Sequence, residues 1–321
     1  DIPELVERSN GIFGKSGTGK TFLTRLLLIG ILQKGEANNL VFDMHSEYGW
    51  KGSSETRAEV KGLKQLFPSK VAVFSLDEES SRRRGLTPDY VVRIGYDEIE
   101  PGDIQLLREN LNLSEVSADS AFSLEKHFGS EQWLQKFLSI DGRQTIFELA
   151  NQIGVQANAL ASLHNRLSRL ERYAFMDATS THGSVQEIIR YLDRGMHVVL
   201  EFGRYGNDIA AYILVANLLT RRIYGRYVER SDKAARGEEN TKPLVITVEE
   251  AHKFLTPEVA GQTIFGQIAR EMRKYKVRLL IVDQRPSGID EEVMSQLGTK
   301  ITYLLDSSRD IDAVLAGESG S

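Results

Sequence analysis

The chain has 321 residues, 41% apolar and 26% charged, the balance of a globular protein long enough for one large domain or two smaller ones. The absence of cysteine excludes disulfides, cysteine-ligated zinc and thiol catalysis, and neither a run of roughly 20 apolar residues nor a signal-like start is present, so a cytoplasmic protein is expected. A formal net charge of −5 argues against a surface that grips nucleic acid everywhere, so any DNA contact has to be local.

The first informative segment is Gly14-Lys15-Ser16-Gly17-Thr18-Gly19-Lys20-Thr21, which follows an apolar stretch and opens a helix-like run from Phe22 to Leu32. Strand, glycine loop and helix in that order make a P-loop. The glycines let successive backbone N–H groups turn toward a polyphosphate, Lys20 reaches the β- and γ-phosphates, and the Thr21 hydroxyl suits Mg²⁺. The whole loop from Gly14 to Phe22 is therefore a candidate nucleotide-binding segment.

Leu40-Val41-Phe42-Asp43 and Val71 to Leu76 read as buried parallel strands, and Tyr90 to Ile94 as a strand nearer an edge. From Gly102 to Met176 the period becomes helical, with Leu160, Leu163, Leu167 and Leu170 on one apolar face that reads as core packing. Strands resume at His197 to Phe202, Pro243 to Val248, Val277 to Val282 and Thr299 to Leu305. A helix from Ile209 to Glu229 precedes a polar segment, Ser231 to Thr241, expected to be an exposed loop. The fold class expected is α/β, a mostly parallel sheet with helices on both faces and an inserted all-α subdomain. The corresponding units are 1–96, 97–184 and 185–321.

Val245 to Val248 runs into Glu249-Glu250-Ala251-His252, an apolar strand ending in paired carboxylates. A P-loop ATPase needs one strand-end carboxylate for Mg²⁺ and usually a second to polarise the attacking water; Glu249 takes the first role here and Glu250 the second. Gln284, at the end of the Val277 strand, is the candidate sensor of the γ-phosphate or water. No guanine-reading Asn-Lys-x-Asp motif occurs, so the expected nucleotide is ATP with Mg²⁺. No zinc finger, helix-turn-helix or aromatic RNA-binding signature is evident.

The P-loop, Asp43-Met44-His45-Ser46-Glu47-Tyr48, Glu249-Glu250-Ala251-His252, Ala269 to Tyr275 and Asp283-Gln284-Arg285-Pro286-Ser287 together resemble the HerA-like branch of the HerA/FtsK superfamily. The resemblance implies a RecA-like ATPase that forms a homo-oligomer, a hexameric ring, and moves double-stranded DNA through its centre, often with a partner nuclease or effector. It also implies that Arg273 and Arg8, the latter twelve residues before Lys20, act on nucleotide, one of them across a subunit boundary; guanidinium stays charged and forks onto phosphate oxygens. Glu249, Met272, Ser9 and Ser46 stand where many relatives have Asp, Gly, His and Gly. The family's N-terminal β-barrel is not expected in the few residues before the P-loop, and the chain reads as part of a longer protein. Candidate phosphate contacts are Arg82-Arg83-Arg84, expected in the loop after the Val71 strand, and Lys274 with Lys276. A conjugation or secretion ATPase and a nucleotide-gated scaffold of a defence complex are the alternative readings.

Overall fold

The computed structural model describes residues 1–50, 52–53, 59–179, 183–236, 242–258, 260–261, 263–271 and 275–316. Eight strands form its central sheet: β1 (Asn10–Phe13), β2 (Asn38–Asp43), β3 (Val71–Ser75), β4 (Tyr90–Val91), β5 (His197–Glu201), β6 (Leu244–Glu249), β7 (Val277–Asp283) and β8 (Thr299–Thr302). They lie in the order β8-β1-β7-β6-β2-β5-β3-β4, each parallel to its neighbour. Parallel strands need crossover connections, and helices covering both faces make the sheet a RecA-like α/β core.

Alternation along the strands divides the interior in two. Ile12, Val41, Val199, Val245 and Leu280 point to the face covered by the helix Lys20–Lys34, where they meet Leu28, Ile31 and Leu32. Their neighbours Phe13, Leu40, Phe42, Leu200, Ile246 and Ile281 point the other way and join a larger core shared with the helix Ile209–Ala235. A one-residue slip in any strand would exchange the two sets, so both cores fix the register.

The helices Pro101–Leu106, Glu115–Phe128, Trp133–Leu138, Arg143–Ile153 and Ala157–Leu167 follow the edge strand. Leu160, Leu163, Leu167 and Leu170 are all buried among them, as a core face requires. Asp103 joins this group to the long helix Ile209–Ala235: its carboxylate accepts from Asn217 at 3.1 Å and from Arg221 at 2.9 Å. Burial pushes its pKa up to about 7.

Three boundaries differ clearly from expectation, the first being β8, which ends at Thr302 and not at Leu305. The edge strand stops at Val91, because Arg93 N donates to Ser184 Oγ and Ile94–Gly95 leaves to pair with Met176–Asp177. The helix from Ile209 runs past Glu229 to Ala235, through residues that contain neither glycine nor proline, so Ser231 to Ala235 is helix and not loop. Residues 237–241 lie outside the described residues. Among the described residues, no helix is long and apolar enough to cross a membrane.

Candidate nucleotide site

Parallel strands end on one side, so the sheet gathers the last residues of β1, β2, β5, β6 and β7 along one edge. Strand β7 lies between β1 and β6. Gln284 therefore stands between the glycine loop that follows β1 and the carboxylate pair that ends β6.

Gly19 begins the helix Lys20–Lys34 with φ 95°, a left-handed conformation that a side chain would strain. The first-turn N–H groups of that helix are aimed at the loop, which suits an anion. Ser16, Gly17, Gly19, Lys20, Thr21 and Phe22 line a cavity of about 600 Å³. Gly14, Lys15 and Thr18 are not among its lining residues; they shape the loop. Thr18 Oγ1 donates to Lys15 O at 2.8 Å, and the Lys15 ammonium pairs with Asp306 at 3.0 Å. The buried Lys20 ammonium donates to the carbonyls of Gly14 and Lys15. Burial lowers its pKa, while the charges of Asp283, Glu250 and Glu249 oppose that shift.

Across the cavity stand Glu249, Glu250 and Gln284. Glu249 is held at both ends: its carbonyl accepts from Tyr212 at 3.0 Å, and its Oε1 accepts from Tyr48 at 2.9 Å. Its Oε2 is buried with no hydrogen-bond partner. Burial, reinforced by the charge of Asp43, pushes its pKa up to about 8, against the pull of the Tyr48 hydrogen bond.

Glu250 has φ 52° and ψ 42°, a left-handed backbone at a non-glycine residue. Such conformations persist where surrounding structure imposes them, often at functional sites. Gln284 Nε2 donates to Glu250 Oε1, and His252 Nε2 and Lys253 Nζ each lie 3.7 Å from Oε2. Asp283 braces this turn from β7, accepting the N–H of His252 at 2.8 Å and that of Arg285 at 2.6 Å.

The segment after β2 supplies further groups. Buried Asp43 accepts N–H bonds from Glu47, Tyr48 and Gly49 at 2.7, 2.8 and 3.1 Å, coiling the chain so that His45 and Glu47 line the cavity and Tyr48 reaches Glu249. Arg25 also lines the cavity, with its guanidinium on Glu47 O at 2.5 Å. Sequence reasoning singled out neither Arg25 nor Tyr48 as a site residue. The Glu47-Tyr48 pair was visible only as part of a motif.

The remaining candidates lie elsewhere. Arg8 is exposed at the opposite end of β1 from the loop, with its stem against Gly298. Arg273 and Lys274 lie outside the described residues. Arg82 and Arg83 are on the helix Glu78–Arg83 and not in a loop, paired with Glu78 and Glu79. Arg84 turns inward to the buried Glu201. Lys276 has φ 57° and precedes β7.

The donors fit Mg²⁺: Thr21 and Glu249 line one cavity, a hydroxyl and a carboxylate are hard oxygen ligands, and one Glu249 oxygen is buried without a partner.

The family model described as Helicase HerA, central domain, matches residues 1–223. Two similar proteins are each named "DNA double-strand break repair helicase HerA". The one from Pyrococcus furiosus is 22% identical over 98% of this chain and 59% of its own length; the one from Saccharolobus solfataricus is 24% identical over 98% and 60%. The chain thus spans about three-fifths of these relatives. Among solved structures, VirB4 of Thermoanaerobacter pseudethanolicus superposes with a TM-score of 0.52 at 16% identity, covering 98% of this chain and 81% of that one. The plasmid coupling protein TrwB in complex with ADP and Mg²⁺ gives 0.52 at 13% identity, over 91% of this chain and 67% of that one. At these identities the likeness is one of fold.

Proposed function

Because the chain belongs to the HerA helicase central-domain family, we propose that it is an ATP-hydrolysing motor that assembles into a ring and translocates along or unwinds double-stranded DNA. The observation that carries the chemistry is one cavity lined by Lys20 and Thr21 from the loop, Glu249 and Glu250 from β6, and Gln284 from the strand between them. Nucleotide phosphates take up the loop N–H groups, and the Lys20 ammonium exchanges the Gly14 and Lys15 carbonyls for phosphate oxygens. Thr21 and Glu249 Oε2 would hold Mg²⁺, whose chemistry there is to neutralise charge across the β- and γ-phosphates. Glu250 orients the attacking water and accepts its proton as the γ-phosphoryl transfers and ADP leaves. Gln284, bonded to Glu250, couples that carboxylate to the state of the γ-phosphate. Phe22, more than half exposed at the cavity rim, offers an aromatic face to the base.

Arg8 supports a ring. Strand β1 has four residues, about 13 Å of extended chain, and separates Arg8 from its own loop, so Arg8 acts on the nucleotide of an adjacent subunit. Arg273 is the other candidate for that role. The test is ATP hydrolysis by the full-length protein with and without long duplex DNA, together with displacement of a DNA-bound roadblock. The motor reading expects both stimulation and displacement; ATP-dependent assembly with neither would favour a scaffold that recruits an effector.

A further inference from the structure

We propose that Arg143–Ile153, Gly154–Gln156 and Ala157–Leu167 form a helix–turn–helix that seats its second helix in the major groove of duplex DNA. This goes beyond the motor reading, because it assigns a duplex contact away from the nucleotide cavity. The sequence carries no helix-turn-helix signature because the apolar stripe from Leu160 to Leu170 lies wholly after the turn and does not mark it.

The unit is built from both sides of the turn. Gly154 adopts φ 73° and caps the first helix; its N–H and that of Val155 both bond to Ala150 O, the latter at 3.0 Å. A three-residue connection containing glycine is common in such motifs. The second helix starts at once, Leu160 N donating to Gln156 O at 3.0 Å. Ile146, Leu149 and Ala150 from the first helix and Leu160, Leu163 and Leu167 from the second are buried. The fully buried Ala150 presents only a methyl group on this packed side, which permits a close approach of the helices.

The outer face has a different composition. Gln156, Asn158, Asn165 and Arg169 are exposed, and Ser162 and Arg166 are half-buried. A groove of about 680 Å³ runs between the helices, lined by Arg143, Asn158, Ser162, Asn165, Arg166 and Arg169, with Asp141 the one carboxylate among its lining residues. Arg143 is held in place, bonded to Asn158 Oδ1 at 3.3 Å and lying over the Phe147 ring at 5.1 Å. Among the described residues, Arg166 and Arg169 have no acidic partner, whereas Arg82, Arg83, Arg84, Arg204 and Arg221 all do. Unpaired guanidinium groups suit phosphates and guanine edges; exposed asparagine and glutamine near the start of the second helix suit adenine. A protein partner would need an apolar anchor, and none of the large exposed apolar side chains of the described residues lies on this unit.

The experiment measures binding of the full-length protein to a fluorescein-labelled duplex of about 30 base pairs, about three turns, without nucleotide and across a salt series. Arg166→Ala/Arg169→Ala is expected to weaken binding about tenfold and to reduce the slope of log affinity against log salt by about two, one per lost phosphate contact. Asn165→Asp, a single exposed change, is expected to weaken binding in the same direction. Hydrolysis without DNA should stay at the wild-type level, separating this proposal from the site chemistry, which Glu250→Gln tests. Unchanged affinity and slope in variants with wild-type melting curves would overturn the proposal. So would a wild-type protein that binds no duplex at low salt, or one that uses this face only for another protein.

Discussion

The Tyr48 hydroxyl donates to Glu249 Oε1 at 2.9 Å while Glu249 Oε2 remains buried without a partner. One oxygen is thereby fixed and the other left without a partner. Tyr48→Phe removes the donor but keeps the ring, so the carboxylate loses its orientation while the fold is retained. The Mg²⁺ concentration for half-maximal hydrolysis at saturating ATP should rise on the order of tenfold, the usual scale for losing a group that orients a metal ligand. A magnesium titration of both proteins checks this; overlapping curves would remove Tyr48 from the site.

The buried Glu201 relies on Arg84 for its counter-charge. Burial, with the charge of Asp43 next, raises the Glu201 pKa from 4.5 to about 7 even though Arg84 opposes the shift. Arg84→Met should destabilise the protein by about 1 kcal/mol at pH 8, less than a fully buried broken pair because water reaches the arginine. The sign follows from linkage. A folded-state pKa above the unfolded value contributes stability that is complete below pH 4.5 and is lost as pH rises through about 7. The variant should therefore melt near the wild type at pH 4.5 and progressively below it toward pH 8, as thermal melts across that range would reveal.

Arg8 and Lys20 are separated by the length of β1, so complementation can tell whether they serve different sites. Arg8→Ala and Lys20→Ala should each lose most hydrolysis. Rings assembled from a mixture of the two contain interfaces that join an intact Lys20 to an intact neighbouring Arg8, and part of the activity should return. If mixing restores nothing at any ratio, Arg8 does not act across the interface.

Much of the core was legible because a parallel strand buried on both faces is a continuous apolar run, as at Leu40 to Phe42 and Val245 to Val248. The loop and the carboxylate pair were legible for a related reason: they follow such runs directly and must emerge on one edge. Asp43 was visible as a residue but not as the acceptor of three N–H bonds, because that role depends on how the chain coils after β2. Arg82-Arg83-Arg84 looked alike in sequence and differ in space. The first two pair along a helix surface while the third turns inward, and charge alone does not encode that division. The helix from Ile209 overran its expected end because polarity at Ser231 to Lys233 marks an exposed helix face as readily as a loop.

The most direct test of the central claim is Glu250→Gln, measured for both ATP binding and ATP hydrolysis. Glutamine keeps the shape and the contact region of Gln284 but cannot accept a proton from water. The account predicts wild-type nucleotide binding with hydrolysis reduced at least about a hundredfold, the lower end of general-base contributions. Unchanged hydrolysis in a protein that still binds ATP would contradict it.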